Sequence, residues 1–420
     1  MQKVLIISYF FPPSNFVGGD RTHAWAQHLS ESGIYPIIIT RNWNENQKDL
    51  VDKLDSNEYS IEKTDKYEVH RMPYKHLLRD RLSSHKWLSV FQKVLTLKEL
   101  IFSNFFIKSL PYYNFYSEAE KMIQADSEIK VIIASGRPFQ SFFIGYRLKK
   151  KFPSIKWIPD YRDEWTTHSR NEQNTILQDL ISRLESKSEL KWTSNAYSFL
   201  TVSDVVKDSL EKYNSKSGLV ILNGFSESDL KIKLTPVKNE LNIIYYGTIY
   251  YDQDFSILLS TISSLKEKTD TKIIIHFIGV GLFKDIILNH IKNYNVEIKL
   301  IPKMGKYELS RYLSVADLLF LTSYNKTKGI YPVKIFDYYK TGIPILLVPS
   351  DKSVMENFII KSNSGYVANN TKECEDILLE LICKKNKGET TIFFQNTKYA
   401  SQFSRKYQTK KLAQIIKNII

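Results

Sequence analysis

Short apolar runs that alternate with helical stretches are the feature that most constrains how this chain can fold. Runs rich in Ile, Leu and Val that are bounded by turn signals predict buried strands. The predicted strands are Val4–Ser8, Pro36–Thr40, Val131–Ala134, Lys156–Pro159, Phe199–Val202, Leu241–Tyr246, Lys272–Ile278, Val296–Ile301, Leu318–Leu321 and Ile343–Val348. Helical stretches between strands let consecutive strands run parallel. The pattern therefore predicts an α/β fold with two doubly wound Rossmann-like domains that face each other across a cleft.

The length of the chain also favours two domains. It has 420 residues, whereas single hydrophobic cores rarely grow beyond about 250–300 residues. A polar stretch without sustained periodicity marks the boundary between the two series of strands. The predicted segments are an N-terminal domain over 1–225, a linker over 226–240, a C-terminal domain over 241–395 and a helix over 396–420 that packs back toward the N-terminal domain.

A formal net charge of +14 indicates an anionic partner: nucleic acid, a membrane leaflet or a phosphorylated ligand. The excess of Lys and Arg is spread along the chain rather than gathered on one module, which argues against nucleic acid. Cys374 and Cys383 have neither metal-site nor redox spacing, and no apolar run reaches the roughly 18–20 residues that span a bilayer. We expect a cytoplasmic protein, with peripheral contact at the inner face of the cell membrane as a further option.

Residues 71–116 break the alternation of strands and helices. This segment interleaves Lys and Arg with bulky aromatic residues such as Trp87, Phe91 and Phe102. Such a pattern favours a surface that lies against anionic lipid, with rings at headgroup depth. The preferred interpretation is instead an inserted helical hairpin whose aromatic residues fill a core of their own, because an insertion this long needs some core.

Two segments of the N-terminal half follow predicted strands and carry polar or small residues. Gly18 and Gly19 precede a helical run, where backbone N–H groups and the helix dipole favour an anion. The alternative is a tight turn with Asp20 as the helix cap. The spacing matches neither a dinucleotide fingerprint nor a P-loop.

Residues Asp160–Trp165 place four charges directly after a strand, at the sheet edge where ligands bind in open α/β domains. Asp163 belongs to this segment, and Arg137 follows a neighbouring strand into the same region. The alternative is an ion-paired loop in which Asp160 and Asp163 flank Arg162.

A third segment, Lys328–Leu346, predicts a loop, a helix opened by Pro332, and a buried strand. Lys334 and Asp337 lie three residues apart and share one face of that helix. Either they form a surface ion pair, or Lys334 neutralises a ligand phosphate while Asp337 accepts hydrogen bonds from a ribose hydroxyl pair.

The order of these segments resembles the retaining, nucleotide-sugar-dependent glycosyltransferases of family 4, which have the GT-B fold. The matching motifs are Pro12-Pro13, Gly18-Gly19, Asp160–Trp165, Thr201-Val202-Ser203, Asn223-Gly224, Tyr246-Gly247-Thr248 and Pro332–Ile345. The resemblance covers nearly the whole chain except the 71–116 insertion. It implies a bacterial hexosyltransferase that adds a sugar from a UDP- or GDP-linked donor to a lipid-linked or oligosaccharide acceptor in surface polysaccharide synthesis.

The resemblance also assigns residues. Asp163, which would orient an acceptor hydroxyl, and Lys334 are the candidate catalytic residues. The candidate donor-binding residues are Gly18, Gly19, Arg137, Gly247, Thr248, Tyr331, Pro332, Val333, Lys334 and Asp337. No metal or other cofactor is expected, because Lys334 and helix N-terminal amides stabilise the departing diphosphate.

The chain departs from the family pattern at two places. The first of the two Glu residues that the family often carries eight positions apart is Gly329 here, and the second is Asp337. The loop after Gly247 also lacks the family's Arg and Lys. Asp252 and Asp254 could hold a metal, but capping of the following helix is the preferred interpretation. A sugar-nucleotide epimerase of the same fold and a nucleotide-sugar-binding pseudoenzyme remain alternatives.

Overall fold

The computed structural model describes most of the chain. It omits residues 15, 44–55, 76–77, 79–81, 83–88, 107, 109–111, 168–175, 227–231, 233, 236, 251, 282–283, 325–328, 390–392 and 394, and it describes only the backbone of residues 103–105 and 306. Parts of the predicted insertion at 71–116 and of the predicted linker at 226–240 therefore lie outside the described residues, as does Lys328.

The described chain forms two compact units. The N-terminal unit comprises Met1–Asn223 together with Arg405–Ile420, and the C-terminal unit comprises Gly224–Ser404. The sequence predicts boundaries after residues 225 and 395, and the contacts divide the chain after Asn223 and after Ser404. The chain therefore passes from one unit to the other twice.

Within the described residues, the N-terminal unit has an eight-stranded sheet. Its strands are β1 (Gln2–Ile7), β2 (Ile34–Arg41), β3 (Ser60–Lys63), β4 (Glu68–Met72), β5 (Ile129–Ser135), β6 (Lys156–Tyr161), β7 (Phe199–Thr201) and β8 (Gly218–Val220). Its first six helices are α1 (Asp20–His28), α2 (Ser89–Phe105), α3 (Tyr113–Ala125), α4 (Gln140–Lys151), α5 (Ile176–Thr193) and α6 (Asp204–Asn214). The strand order is β3-β4-β2-β1-β5-β6-β7-β8, and β3 runs antiparallel to β4.

The C-terminal unit has a six-stranded sheet in the described chain, with parallel neighbours throughout. Its strands are β9 (Glu240–Tyr246), β10 (Lys272–Ile278), β11 (Glu297–Ile301), β12 (Leu318–Leu321), β13 (Ile345–Leu347) and β14 (Gly365–Val367). Its helices are α7 (Ser256–Leu265), α8 (Lys284–Ile291), α9 (Lys306–Leu313), α10 (Val333–Thr341), α11 (Val354–Lys361), α12 (Thr371–Asn386) and α13 (Thr397–Ala400). The strand order is β11-β10-β9-β12-β13-β14.

Both sheets reverse their strand order next to their first strand. In the N-terminal unit β1 pairs in parallel with β2 and β5, and in the C-terminal unit β9 pairs in parallel with β10 and β12. In doubly wound sheets, ligands bind beyond the carboxyl ends of the strands at this point of reversal. The prediction of two doubly wound Rossmann-like domains is confirmed, and the geometry identifies one ligand-binding edge in each unit.

The last helix, α14 (Arg405–Ile419), completes the core of the N-terminal unit. Leu412 and Ile416 are fully buried and pack in the same cluster as Val4 and Trp25. Arg405 also donates a hydrogen bond of 2.9 Å to Asp20 at the start of α1. The apolar face of the C-terminal segment therefore covers residues from the beginning of the chain.

All ten strands predicted from the apolar runs are confirmed. Four strands were not predicted: β3, β4, β8 and β14. Three of these are short and have no fully buried residue, so they lack a continuous apolar run. Among the described helices, none is both long enough and apolar enough to cross a membrane.

The pairing of β14 with β13 depends on the absence of a side chain at Gly365. A Cβ atom there would lie 1.9 Å from the carbonyl oxygen of Ile345. We expect Gly365→Ala to lower the free energy of unfolding by about 3 kcal/mol, because the strand backbones must separate. Urea unfolding of the full chain measures this change.

Gly305→Ala is the matched control, since nothing lies within 4 Å of a Cβ at Gly305 and its φ is −72°. We expect it to cost less than about 1 kcal/mol. Equal losses in the two variants would contradict the close approach at Gly365.

Candidate functional site

The candidate site of the C-terminal unit is built around Lys334, in the first turn of α10. Its Nζ donates a 2.7 Å hydrogen bond to the carbonyl oxygen of Thr248 and another hydrogen bond to the hydroxyl of Tyr245. Nζ also lies 4.2 Å from the centre of the Tyr245 ring. These contacts join the start of α10 to the turn that follows β9, at the point of reversal of the sheet.

The Lys334 amine is held by neutral groups. Within the described residues, no carboxylate lies within ion-pair distance of Lys334. Burial lowers the pKa of Lys334 from its ordinary value to about 7. Desolvation disfavours the charged form of the amine, whereas a nearby negative charge favours it. An anion bound here would therefore pair with a lysine that has no other counterion among the described residues.

The beginning of α10 adds a second positive element. Pro332 occupies the cap position, no side chain caps the helix, and no acidic residue lies in its first turn. The first backbone N–H groups of a helix have no partner inside that helix, and the helix dipole is positive there. The N-terminus of α10, which includes Val333, therefore complements the Lys334 amine electrostatically.

Gly247 forms the turn that brings the chain from β9 to Thr248. Its φ is +103°, a conformation that favours glycine, and its N–H donates to the carbonyl oxygen of Ile278. The Gly247 N–H is thus bonded to β10 and does not face a ligand. The residue contributes the turn that carries the chain from β9 to Thr248. Thr248 is exposed, and its carbonyl oxygen accepts from both Lys334 and Tyr245.

Tyr338 is a site residue that the sequence motifs did not identify. It is fully buried, accepts a 2.8 Å hydrogen bond from the Tyr246 N–H and donates a 3.1 Å hydrogen bond to the Tyr246 carbonyl. One phenol hydroxyl therefore fixes α10 to the last residue of β9. The signal in the sequence was a large aromatic residue one position after Asp337.

Asp337 and Tyr331 occupy different surroundings. Asp337 is exposed on α10, and its charge adds to burial in raising the pKa values of Tyr246 and Tyr338. Tyr331 is half-buried, and its ring stacks on Phe336 with centroids 5.7 Å apart. Asp337 thus lies at the surface beside β9, whereas Tyr331 packs against the ring of Phe336.

Asp254 lies one residue before the cap position of α7, which Phe255 occupies without a side-chain cap. Its carboxylate accepts hydrogen bonds of 2.9 Å from the N–H and the hydroxyl of Ser256 at the start of α7. Asp254 therefore supports the start of this helix, but not from the cap position. Within the part of the chain that the structure describes, no group of three or more His, Cys, Asp or Glu residues is placed to hold a metal ion.

A cavity of about 630 Å³ opens at the carboxyl end of β11. Its wall includes Lys303, Glu308, Arg311 and Tyr312. This cavity was also missed from the sequence, although Pro302 and Lys303 directly follow a predicted strand. It lies at the same carboxyl edge of the sheet as Lys334.

In the N-terminal unit, Gly18 and Gly19 each lie close to neighbouring atoms. A Cβ on Gly18 would lie 2.2 Å from Nη1 of Arg162, and a Cβ on Gly19 would lie 3.2 Å from backbone atoms of Phe10 and Phe11. Gly19 occupies the cap position of α1. The alternative prediction that Asp20 caps this helix is therefore wrong, because Asp20 is the first helical residue and pairs with Arg405.

The charges of Asp160–Trp165 are distributed among separate partners. Asp160 is fully buried and accepts hydrogen bonds from Arg21 at 2.9 Å and Ser135 at 3.0 Å. Asp163 lies 3.6 Å from Nε of Arg137, and both side chains are about half exposed. The alternative prediction of an ion-paired loop is therefore correct for both aspartates, but their partners are Arg21 and Arg137 rather than Arg162. Asp160 stabilises the fold, whereas Asp163 and Arg137 meet at the surface.

Comparison with solved structures defines the class of fold. The chain is similar over its full length to Alr3699/HepE from Anabaena, determined with UDP and glucose, at 10% identity and a TM-score of 0.54, covering 100% of both chains. It is similar to WaaG, a glycosyltransferase involved in lipopolysaccharide biosynthesis, at 13% identity and a TM-score of 0.55, over 98% of this chain and 99% of WaaG. A glycosyltransferase from Rickettsia africae gives 13% identity and a TM-score of 0.56, over 100% and 98%. The fold is that of GT-B glycosyltransferases.

Comparison of sequences is more specific for the C-terminal unit. Residues 226–390 match the family model described as Glycosyl transferases group 1. A segment is 30% identical over 143 residues to the chitobiosyldiphosphodolichol beta-mannosyltransferase of Debaryomyces hansenii, and it covers 31% of this chain and 30% of that protein. The match thus spans less than a third of this relative. The match to the family model thus falls within the C-terminal unit, Gly224–Ser404.

The pKa of Lys334 leads to a prediction about stability. Its folded value of about 7 lies below the ordinary value of 10.5, so the unfolded chain binds more protons between these pH values. The cost of the buried amine is therefore complete below about pH 7 and disappears as the pH rises toward 10.5. We expect Lys334→Met to be more stable than the wild type at pH 6.5, with a gain that shrinks steadily toward pH 9.5.

Urea unfolding midpoints at several pH values test this expectation. Lys303→Met, which removes an exposed cation from the same unit, corrects for the general effect of losing one charge. A gain for Lys334→Met that does not change with pH would contradict desolvation of the amine.

Proposed function

We propose that this protein is a glycosyltransferase that binds a nucleotide-diphosphate sugar at the α10 edge of its C-terminal unit. The observation that supports this proposal most is the position of Lys334. Its amine is desolvated, contacts neutral oxygens and lies at an uncapped helix N-terminus within the segment that matches the family model. A diphosphate supplies the negative charge that this arrangement lacks.

Catalysis follows from the same electrostatics. Cleavage of the bond between sugar and diphosphate builds negative charge on the leaving phosphate. A cation and helix amides already directed at that phosphate stabilise the transition state without reorganisation. Lys334 and the first amides of α10 perform this role in the proposal. Asp337, exposed on the same helix, binds the ribose hydroxyl pair, and the cavity beside Lys303 accommodates the base of a UDP or GDP donor.

The finer features of the reaction rest on the family resemblance. Retention of configuration implies attack from the face that the diphosphate leaves, with a donor phosphate oxygen accepting the proton of the acceptor hydroxyl. Asp163 orients that hydroxyl in this proposal, and its half-exposed carboxylate is open to solvent on the N-terminal unit. The acceptor is a lipid-linked saccharide in bacterial surface polysaccharide synthesis. The solved structure of Alr3699/HepE with UDP and glucose supports a UDP-linked donor.

Helix α2 supports contact with a membrane. Phe91 and Phe102 lie three helical turns apart and are 52% and 46% exposed. Lys98 lies between them, with its Nζ 5.8 Å from the Phe102 ring. Leu100, in contrast, is buried, and Glu99 accepts a hydrogen bond from Gln140 of α4. The exposed aromatic residues of α2 thus do not fill a core of their own, which favours the interfacial interpretation of the 71–116 segment.

Binding of UDP tests the role of Lys334 in the donor site. At pH 8 a Lys334 with a pKa of about 7 is mostly neutral, and the UDP phosphates are fully ionised. We expect binding to take up close to one proton per UDP, because the diphosphate draws Lys334 into its charged form. Calorimetry in buffers of different ionisation enthalpy measures this uptake.

Two substitutions distinguish the effect of the Lys334 charge on UDP affinity from the uptake of a proton on binding. Lys334→Ala is expected to weaken UDP binding at least tenfold, which corresponds to about 1.4 kcal/mol. Lys334→Arg is expected to bind UDP without proton uptake, because arginine remains protonated. Equal UDP affinity in Lys334→Ala and the wild type would exclude Lys334 from the donor site.

Turnover with a panel of nucleotide sugars distinguishes the candidate functions. Transfer to an acceptor, or slow donor hydrolysis without one, supports the glycosyltransferase. Binding without turnover of any donor would indicate a pseudoenzyme, and conversion of a donor into its epimer would indicate an epimerase. Absence of binding for every nucleotide sugar would refute the proposed donor site.

Membrane contact through α2 is tested with vesicles. We expect Phe91→Ser/Phe102→Ser to lose more than tenfold in affinity for phosphatidylglycerol vesicles, since burial of each ring contributes about 1.5–3 kcal/mol. Tyr307→Ser removes a ring that is 80% exposed in the C-terminal unit and is expected to bind like the wild type. Undiminished binding of the double variant in co-sedimentation would place any membrane contact elsewhere.

A further inference from the structure

The carboxyl edge of the N-terminal sheet contains a cation that the proposed donor site does not use. Arg162 follows β6, and its Nε donates a 2.6 Å hydrogen bond to the carbonyl oxygen of Gly136. Its Nη2 donates a 3.1 Å hydrogen bond to the carbonyl oxygen of Arg137. Both acceptors lie in the loop after β5. Arg162 therefore joins the loops that follow β5 and β6, next to the point where the strand order reverses.

Arg162 differs from its arginine neighbours in lacking a carboxylate. Arg21 pairs with Asp160, and Arg137 pairs with Asp163. Within the described chain, no carboxylate lies within ion-pair distance of Arg162, although these two are its nearest sources of negative charge. Burial lowers the pKa of Arg162, but arginine remains charged in proteins. Three arginines thus share two aspartates, and the uncompensated charge resides on Arg162.

One nitrogen of this guanidinium remains available for a ligand. Nη1 makes no hydrogen bond to any described residue, and it lies beside Gly18, where a Cβ would be only 2.2 Å away. The absence of a side chain at Gly18 leaves room for Nη1 beside the loop after β1. The Phe10 ring, 5.8 Å from the guanidinium carbon, flanks it. Two backbone carbonyls thus hold the guanidinium group through Nε and Nη2. The remaining nitrogen, Nη1, faces Gly18, which has no side chain.

The helix that follows adds to the positive potential. Helix α4 begins at Gln140, shortly after Arg137, and has neither a capping side chain nor an acidic residue in its first turn. A fixed arginine next to a helix N-terminus is suited to a phosphate group, which accepts several charge-assisted hydrogen bonds.

We propose that Arg162 forms an anion site in the N-terminal unit that binds a phosphate group of the acceptor substrate. This assignment to the acceptor rests on the proposed glycosyltransferase function, whereas the anion site itself does not. A phosphate in this place could also come from the donor, and the two sources share the same chemistry. Titration of Arg162→Gln with UDP distinguishes the acceptor phosphate from the donor phosphate.

Calorimetry with inorganic pyrophosphate measures the anion site in the full chain. The Lys334→Ala background removes the cation of the C-terminal unit. In that background we expect Arg162→Gln to weaken pyrophosphate binding about tenfold, as for the loss of one charge-assisted hydrogen-bonding group. Arg147→Gln, which removes a half-buried arginine on α4, is the matched control and is expected to have no effect.

Gly18→Ala provides a second test that leaves the charge unchanged. The added methyl group displaces Nη1, so we expect a similar tenfold loss of pyrophosphate affinity. Circular dichroism and thermal unfolding report whether each variant folds. Pyrophosphate affinity that is unaffected in both Arg162→Gln and Gly18→Ala, when these are folded, would show that Arg162 only supports the loop and would overturn the proposal.

UDP titration identifies the source of the phosphate. With Lys334 intact, we expect Arg162→Gln to bind UDP within about twofold of the wild type while losing affinity for pyrophosphate in the Lys334→Ala background. A tenfold loss of UDP affinity would overturn the assignment to the acceptor, because the donor would then reach Arg162. If the wild type binds no nucleotide at all, the proposed function fails, and the pyrophosphate measurements still decide the anion site.

Discussion

Parallel pairing on both sides of β9 determines where chemistry can occur in the C-terminal unit. Because β10 and β12 run in the same direction as β9, their connections all emerge at one edge of the sheet. The reversal of strand order between β9 and β12 opens a space between the connections, and Lys334 meets Thr248 there. The same constraint acts on β1 and β5 and places Arg162 beside Gly18 and Gly136. Each unit thus presents one poorly compensated cation at its reversal point.

Buried phenols organise the C-terminal edge in place of acidic side chains. Tyr245 contacts Lys334, Thr248 and Gln253, and Tyr338 holds both backbone groups of Tyr246. A hydroxyl can accept and donate at once, so it fixes the lysine and the turn without neutralising the amine. A carboxylate at the position of Tyr245 would have paired with Lys334 and reduced its attraction for a phosphate. The geometry therefore keeps the site rigid and leaves the amine able to take up a proton beside a phosphate.

The sequence was sufficient for the architecture and for part of the site. Buried parallel strands appear as continuous apolar runs, which is why all ten predicted strands were found. Strands such as β8 and β14 bury little and lack this signal. Lys334 was identified because it follows Pro332 in a recognisable motif. The roles of Tyr338 and Arg162 depend on contacts with residues more than 90 and more than 20 positions away, respectively, and local spacing does not reveal such contacts.

The placement of α14 has a consequence for how the protein is made. Synthesis proceeds from the N-terminus, so the strands of the N-terminal unit are made before the C-terminal unit, yet Leu412 and Ile416 of their core are made after it. The C-terminal unit, Gly224–Ser404, is available in full before that helix exists. The unit whose sequence begins later thus has its complete core first, and the earlier unit must wait with part of its apolar surface uncovered.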